Sequence, residues 1–275
     1  MSFTPAQLAQ YCRRIAYNGP LAPTRDTLHA LHRLHPLAIA FENLDPWLGQ
    51  PPALDPEALF DKLVTRERGG YCFEQNGLFK IVLQSLGFAV RGLSARVLWD
   101  QHPNPPRTHQ LSLVEIQGQE WLADVGFGLT PLAPLRFAPE MEQRTPLETF
   151  RLRQQGGGFT LEVLLPGGAK PMYWFTPETS APADYIQSNW YVSTYPESRF
   201  VRNLIASRVR AEPGGGYSRH NLFNRDYSVY RLGQAPELRQ LQNAGELRHL
   251  LREIFTLPLD ALPGFEARAE GLFGG

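Results

Sequence analysis

The periodicity of the chain changes once, near residue 88, and that change restricts the fold more than any other feature. Upstream, apolar residues recur at helical spacing. Thr4 followed by Pro5 has the form of an N-cap with proline in the first turn, and Leu8, Tyr11, Cys12 and Ile15 then share one face. Thr24 is placed to cap a second helix carrying Leu28, Leu31 and Leu34, which Pro36 should end or kink. Asp55 and Pro56 open a third, with Leu59, Phe60, Leu63 and Val64 inward. A fourth begins near Tyr71–Cys72, carries Leu78, Phe79, Val82, Leu83 and Leu86, and stops at Gly87.

Downstream, the period is two. Residues 88–99 read as a strand bent at Gly92. After a Pro-rich loop over 100–107, residues 108–116 alternate, and 121–127 form the partner strand across a turn at 117–120. Short strands follow at 149–153, 159–165 and 171–175, separated by glycine-rich turns, a spacing that suggests a sandwich or barrel. Beyond 190 the reading is mixed: strands over 201–210 and 222–232 around Gly214–Gly216, then a helix over 237–255 with Leu247, Leu250, Leu251 and Ile254 on one face. Residues 263–275 show little periodicity, and no internal repeat is present. The expected class is α+β, with helical, β and mixed regions in that order.

Composition narrows the functions available. The 27 Lys and Arg balance 27 Asp and Glu, so a large basic footprint for nucleic acid is disfavoured. No apolar run reaches the ~18 residues of a membrane span, and the first residues lack a signal-peptide core. Two cysteines, Cys12 and Cys72, build no disulfide framework, which points to a reducing cytoplasm. No heptad or long apolar edge argues for a large assembly; a monomer or homodimer is expected.

Cys72 is the residue with chemical promise. It follows Arg68-Gly69-Gly70-Tyr71 and opens a helix, where unpaired backbone N–H groups stabilise a thiolate. A cysteine nucleophile needs a base, and the base needs an orienting group. His109 opens a strand after the Pro-rich loop, and Asp124 lies on the following strand among Leu122, Ala123 and Val125, where a carboxylate needs a partner. Cys, His, Asp is an acceptable triad order, because geometry defines a triad. Spacing alone does not close it. A plain hairpin over 117–120 pairs Leu113 with Asp124 and leaves His109 two pairs away on the same face. A bulge or bend is required. Taken singly, Cys72 also reads as a small buried hydrophobe and His109 as a structural histidine.

RGGYCFEQN (68–76), THQLSLVEI (108–116) and WLADVGFG (121–128) resemble the signature segments of prokaryotic-type arylamine N-acetyltransferases. LHRLHPLAIAFENLD (31–45) and NWYVSTYPESRF (189–200) resemble two further segments of that family, which often has His where Tyr195 stands. The resemblance covers about residues 4–232, in order. It implies a helical domain (1–88), an antiparallel β-barrel domain (89–195) and an α/β lid (196–275) around a papain-like Cys-His-Asp site. It implies Cys72, His109 and Asp124 as the triad, and ping-pong acetyl transfer from acetyl-CoA, without a metal, to a small aromatic amine, hydrazine or hydroxylamine. By the same route Phe41, Val97, Phe127 and Phe200 line the acceptor pocket, and Gly126, Gly128 and Thr130 lie where the family closes around CoA.

Three other readings share these residues. A thiol hydrolase would use the same triad with water, and an amide synthase of natural-product assembly would take a larger carrier-bound acyl chain. A non-catalytic binding protein would keep the fold with an ordinary thiol. His29, His32 and His35 form an H-x-x-H-x-x-H run, but it lacks the i, i+4 pair of a zinc helix and reads as a solvated or packing face. The glycine triplets at 156–158 and 214–216 read as turns. Trp47, Trp99, Trp121, Trp174 and Trp190 read as core or strand residues. The Arg-rich stretch 199–210 reads first as solvated surface, with CoA phosphates as the alternative.

Overall fold

The computed structural model describes residues 2–99, 104–260 and 262–274; residues 100–103 of the Pro-rich loop lie outside them. Thr4 caps α1 (Pro5–Arg14), accepting from the Gln7 N–H while the Gln7 side chain accepts from the Thr4 N–H. Thr24 caps α2 (Arg25–Ala38) through the Thr27 N–H. Pro36 sits inside α2 instead of ending it. The helix runs only two residues further, so the proline removes a bond in the last turn alone. β1 (Phe41–Glu42) and the short α3 (Leu44–Trp47) come next. Asp55 caps α4 (Pro56–Phe60), which continues as a π-helical turn over Asp61–Thr65. Tyr71 precedes α5 (Cys72–Ser85), and Gly87, at φ +86°, follows its end. The apolar faces of α1, α2 and α5 bury Leu8, Tyr11, Leu28, Leu31, Leu78 and Val82 in one core.

The β region is an eight-stranded antiparallel sheet. Its strands are β2 (Ala89–Val97), β3 (Arg107–Ile116), β4 (Gln119–Ala123), β5 (Leu135–Arg136), β6 (Glu142–Arg144), β7 (Thr149–Gln155), β8 (Gly158–Leu165) and β9 (Gly168–Phe175). The order β5-β4-β3-β2-β9-β8-β7-β6 curls into a nearly closed barrel filled by Leu93, Leu111, Leu113, Phe150, Leu161 and Phe175. Gln143 spans the seam between the end strands: its amide accepts from the Arg136 N–H at 2.7 Å and donates to the Arg136 carbonyl at 2.9 Å.

Two local expectations are corrected here. The β3–β4 turn is the two residues Gln117 and Gly118, both at positive φ (51° and 73°), so Leu113 pairs with Leu122 and not with Asp124. Such a turn matches the twist of the strands it joins. Gly92 is no bend; its ladder to β3 is regular, and a Cβ there would meet the Tyr185 hydroxyl at 2.5 Å. The irregularity falls instead between Ala95 and Arg96, which pair with His109 and Arg107 and leave Thr108 bulged out of β3.

The last part opens with α6 (Pro182–Thr194), for which the sequence carried no periodic signal, and α7 (Arg199–Arg202). α6 ties the parts together. Tyr185 donates to the Leu93 carbonyl, Ser188 to the Arg107 carbonyl, and Tyr71 to Asn189. The strands β10 (Ile205–Ala211), β11 (Tyr217–Phe223), β12 (Asp226–Arg231) and β13 (Glu237–Gln240) form a second antiparallel sheet, with β1 from the N-terminal region at its edge. Residues 222–232 are therefore not one strand; Asn224, at φ 54°, turns the chain. Residues 237–240 are a strand, and α8 (Ala244–Glu253) starts only where Asn243 supplies a cap. The aperiodic tail contains α9 (Phe265–Gly271). Leu204, Leu222, Leu247, Leu251, Phe255 and Phe265 close this core against Trp47. No helix among the described residues is long and apolar enough to cross a membrane.

Candidate active site

Cys72 sits at the first position of α5, 4% exposed, with its thiol 3.6 Å from the carbonyl of the bulged Thr108. The segment that delivers it rests on buried charge. Arg68 donates to Glu42 and to Asp45, and Lys62 lies 2.6 Å from both Asp45 and Glu74. Glu42 in turn accepts from the Leu44 N–H, and Glu74 from the Tyr71 N–H. Burial pushes the Glu74 carboxyl up to about 7, against the pull of Lys62. Gly69 and Gly70 leave no room for a side chain: a Cβ on Gly69 would meet the Ala40 carbonyl at 2.4 Å, and one on Gly70 would meet Glu74.

The register of the β3–β4 hairpin brings Asp124 two residues nearer His109 than the spacing had suggested, and the bulge on β3 falls beyond His109, at Thr108. His109 Nε2 lies 2.7 Å from Asp124 Oδ2, and both residues are almost wholly buried. With Nε2 committed to Asp124, the other ring nitrogen is left for Cys72. Burial opposes a charged ring, but the Asp124 carboxylate, together with Cys72, pushes His109 up to about 10. Burial likewise opposes the Asp124 charge; His109, Asn76 and the Gly126 N–H outweigh it and hold the carboxyl below its ordinary value. The arrangement therefore favours an imidazolium at His109, beside the Cys72 sulfur at a helix N-terminus.

Asp124 lies just beyond the end of β4, and its segment is held by side chains instead of a ladder. The Asp124 N–H donates to His32 Nε2 at 3.1 Å, Val125 N–H to Asn76 Oδ1 at 2.9 Å, Gly126 N–H to Asp124 Oδ1 at 3.0 Å, and Phe127 N–H to Thr130 Oγ1 at 3.2 Å. The Asn76 amide also donates to Asp124 Oδ1 and to the Gln110 carbonyl, so all its hydrogen-bonding groups are used.

The expected pocket residues fall on two sides of the Cys72, His109 and Asp124 group. Phe41 and Phe200, centroids 6.2 Å apart, belong to the cluster that holds Cys72 and Tyr71. Phe127 meets His109 edge-on at 5.1 Å from the barrel side. Val97 pairs across β2 and β9 with Tyr173, whose ring is 4.9 Å from that of His109. Gly126, Gly128 and Thr130 shape the loop between these sides. A Cβ on Gly126 would meet Asn76 and the Cys72 Cα within 3 Å. Gly128, at φ 91°, accepts from Ser207, and the Thr130 carbonyl accepts from Arg219.

A family model described as N-acetyltransferase matches residues 24–263. An arylamine N-acetyltransferase of Mycobacterium tuberculosis is 42% identical over 257 residues, which cover 91% of this chain and 89% of that one. This chain belongs to the arylamine N-acetyltransferase family. The solved structure of the Mycobacterium marinum member superposes with a TM-score of 0.91 at 39% identity, covering 96% of this chain and 99% of that one. A structure of that protein in complex with CoA gives 0.90 at 39% identity, with 97% and 98% covered.

Within this arylamine N-acetyltransferase fold, several residues near the site had carried no signal of that role in the sequence. Asn76 lies one turn after Cys72 on α5 and faces the Asp124 segment. Tyr173, from β9, packs on His109, and burial beside Asp124 raises its hydroxyl well above the ordinary value. Of the two readings of the histidine run, solvated or packing, the second holds for its middle and last members: His32 and His35 are fully buried, and His35 bonds Tyr11 and Gln75. No group of three or more His, Cys, Asp and Glu among the described residues could hold a metal ion. The Arg-rich stretch is not simply solvated. Arg208 reaches the carbonyls of Phe255 and Leu37, and burial lowers it to about 10. Trp190, expected in a core or a strand, is on the helix α6 and 65% exposed.

Proposed function

We propose that Cys72, His109 and Asp124 carry out ping-pong acetyl transfer from acetyl-CoA to an arylamine, arylhydrazine or arylhydroxylamine. The observation that carries this reading is the 2.7 Å His109–Asp124 pair behind a cysteine at a helix start. The Cys72 thiolate attacks the thioester carbonyl, and the helix N-terminus stabilises the developing oxyanion. The carbon–sulfur bond to CoA breaks, and the His109 imidazolium protonates the departing thiolate. Acetyl now occupies Cys72, and with it goes the negative charge that had helped to keep His109 protonated. The ring is thereby suited to act as a base in the second half. The amine nitrogen attacks acetyl-Cys72, His109 takes its proton, and the thiolate–imidazolium pair is regenerated with release of the amide. Asp124 fixes the tautomer throughout.

The aromatic walls support a flat acceptor and the exclusion of water that would hydrolyse the thioester. Phe41, Phe127 and Phe200 supply the faces nearest the triad, and Val97 the wall behind. Gly126, Gly128 and Thr130 form the loop against which CoA closes. The division into parts over 1–88, 89–195 and 196–275 belongs to the same reading, with the triad at their meeting. Both cysteines are free, which suits a reducing cytoplasm and a nucleophile that must stay a thiol.

The test is intact mass after mixing with acetyl-CoA and no amine, beside Cys72→Ala. One acetyl group on the wild type alone, discharged by an added arylamine as its amide, is expected. CoA release with no acceptor and no lasting adduct would make water the acceptor and the protein a hydrolase. An adduct that persists in Cys72→Ala would overturn the nucleophile.

A further inference from the structure

The H-x-x-H-x-x-H run is a sequence feature that the reaction above leaves unused, and its middle member touches the triad. His32 lies on α2, wholly buried, and its Nε2 accepts the main-chain N–H of Asp124 at 3.1 Å. Asp124 is the first residue past the end of β4. Its N–H therefore has no ladder partner in β3 and depends on a side chain from an element 92 residues earlier. An acceptor at Nε2 requires the neutral ring with its proton on Nδ1. That Nδ1 is buried and has no hydrogen-bond partner among the described residues. The ring is thus oriented by one polar bond and by packing, edge-on to Phe79 with centroids 5.8 Å apart.

We propose that His32 is a positioning residue for the acetyl transfer, holding the Asp124 main chain so that the Asp124 carboxylate stays aligned with His109. The proposal rests on the triad reading above. The other contacts of the segment explain why one bond matters. Asn76 fixes Asp124 Oδ1 and the Val125 N–H, so the side chain and the following peptide are clamped from α5. His32 is the clamp on the preceding peptide, from α2. Without it, the Asp124 peptide is free to rotate about the Asn76 contacts, and the carboxylate swings relative to the His109 ring. His29 and Asp124 face His32 along with His35, and burial lowers the ring to about 3 despite the pull of Asp124. A charged His32 would set an N–H against the Asp124 N–H, so neutrality is part of the role.

The experiment compares His32→Leu, which keeps volume and removes the acceptor, with His32→Gln, whose amide oxygen reaches about as far as Nε2. Single-turnover acetylation by acetyl-CoA is followed by intact mass, and alkylation of Cys72 by iodoacetamide is followed across pH. We expect His32→Leu to acetylate ~10–100-fold more slowly with KM for acetyl-CoA changed less than ~2-fold, the size of effect that a small misplacement of a reacting group produces. The pH profile of alkylation should shift toward alkaline, because a misaligned Asp124 supports less imidazolium. His32→Gln should recover most of both. A residue that only fills space would lower the melting temperature and leave the profile and the single-turnover rate of folded protein where they were; that result overturns the proposal. Where His32→Leu fails to fold, His32→Asn replaces it, since its shorter amide does not reach. Equal rates for Asn and Gln then overturn the proposal, and a faster Gln variant supports it. A wild type that takes no acetyl group overturns the triad reading together with this one. A wild type that does, beside an unaltered His32→Leu, overturns this one alone.

Discussion

The two sides of the proposed catalytic site are held by different forces. Beneath Cys72, three carboxylates and two cations (Glu42, Asp45, Glu74, Lys62 and Arg68) form a buried ionic floor. Behind Asp124 the supports are neutral: the amide of Asn76, the ring of His32 and the hydroxyl of Thr130. The ionic floor anchors a chain segment and tolerates small movements, since charge attraction falls slowly with distance. The neutral clamps act through directional hydrogen bonds alone, so they define an orientation. A nucleophile needs a place, whereas the group that orients a base needs an angle.

The comparison can be broken by substitution, beginning where the effect should be greatest. Asp124→Asn removes what the neutral side exists to aim; kcat should fall ~10⁴-fold with circular dichroism unchanged, as when a triad carboxylate becomes an amide that favours the wrong tautomer. Near-normal turnover would deny that Asp124 orients His109. Arg68→Met should cost ~3–5 kcal/mol of stability in urea titrations, because it strands the wholly buried Glu42 without its ion-pair partner and leaves Asp45 to Lys62 alone. Here the folded fraction should keep its specific activity within about tenfold. Asn76→Ala should show the opposite balance. It leaves buried donors and acceptors unmet at ~1–3 kcal/mol for each group, and its loss of kcat should exceed what unfolding explains. If the two variants lose stability and rate in the same proportion, the distinction between the two sides is wrong.

The pH dependence of stability sharpens the contrast with opposite signs. His109 is raised to about 10, so the folded state holds a proton that the unfolded state gives up above ~6.5. Its contribution is complete below about 6.5 and is lost as pH rises through about 10. His32 and His35 are depressed, to about 3 and about 4. The unfolded chain takes up protons there first, so their contribution is present above about 6.5 and drains away as pH falls toward those values. Urea midpoints at several pH values should show both flanks, and Asp124→Asn should flatten the alkaline one. The smallest effect belongs to Glu74→Gln. That carboxyl already titrates near 7, and Lys62 keeps Asp45, so stability at neutral pH should change by less than ~1 kcal/mol.

How much of this was legible in the sequence follows from where each signal is stored. The caps at Thr4, Thr24 and Asp55 were readable because their partners lie three residues away. Cys72 at a helix start and the strands of the barrel were readable from periodicity. The hairpin register was missed by two residues because Gln117–Gly118 was not recognised as a complete turn, although glycine in its second position was the available sign. The bulge at Thr108 left no mark of its own. His32 and Asn76 could not be read as supports of Asp124, since each bonds a backbone group from a distant element. Residues 237–240 carry no core-facing side of their own; every one is exposed, and pairing with β12 alone makes them a strand.

One small element has a consequence for how the protein is made. β1 is only Phe41 and Glu42, yet it pairs with Ala206 and Ser207 and bridges to Gly70, two residues before Cys72. A ribosome releases residue 72 long before residue 207. The nascent chain can bury α1, α2 and α5 early, but the segment beside Cys72 stays unstitched until translation has passed β10 and the chain closes a loop of more than 160 residues. Ribosome-bound chains stalled before β10 should therefore present Cys72 as an ordinary thiol, and acyl transfer should switch on only late in synthesis.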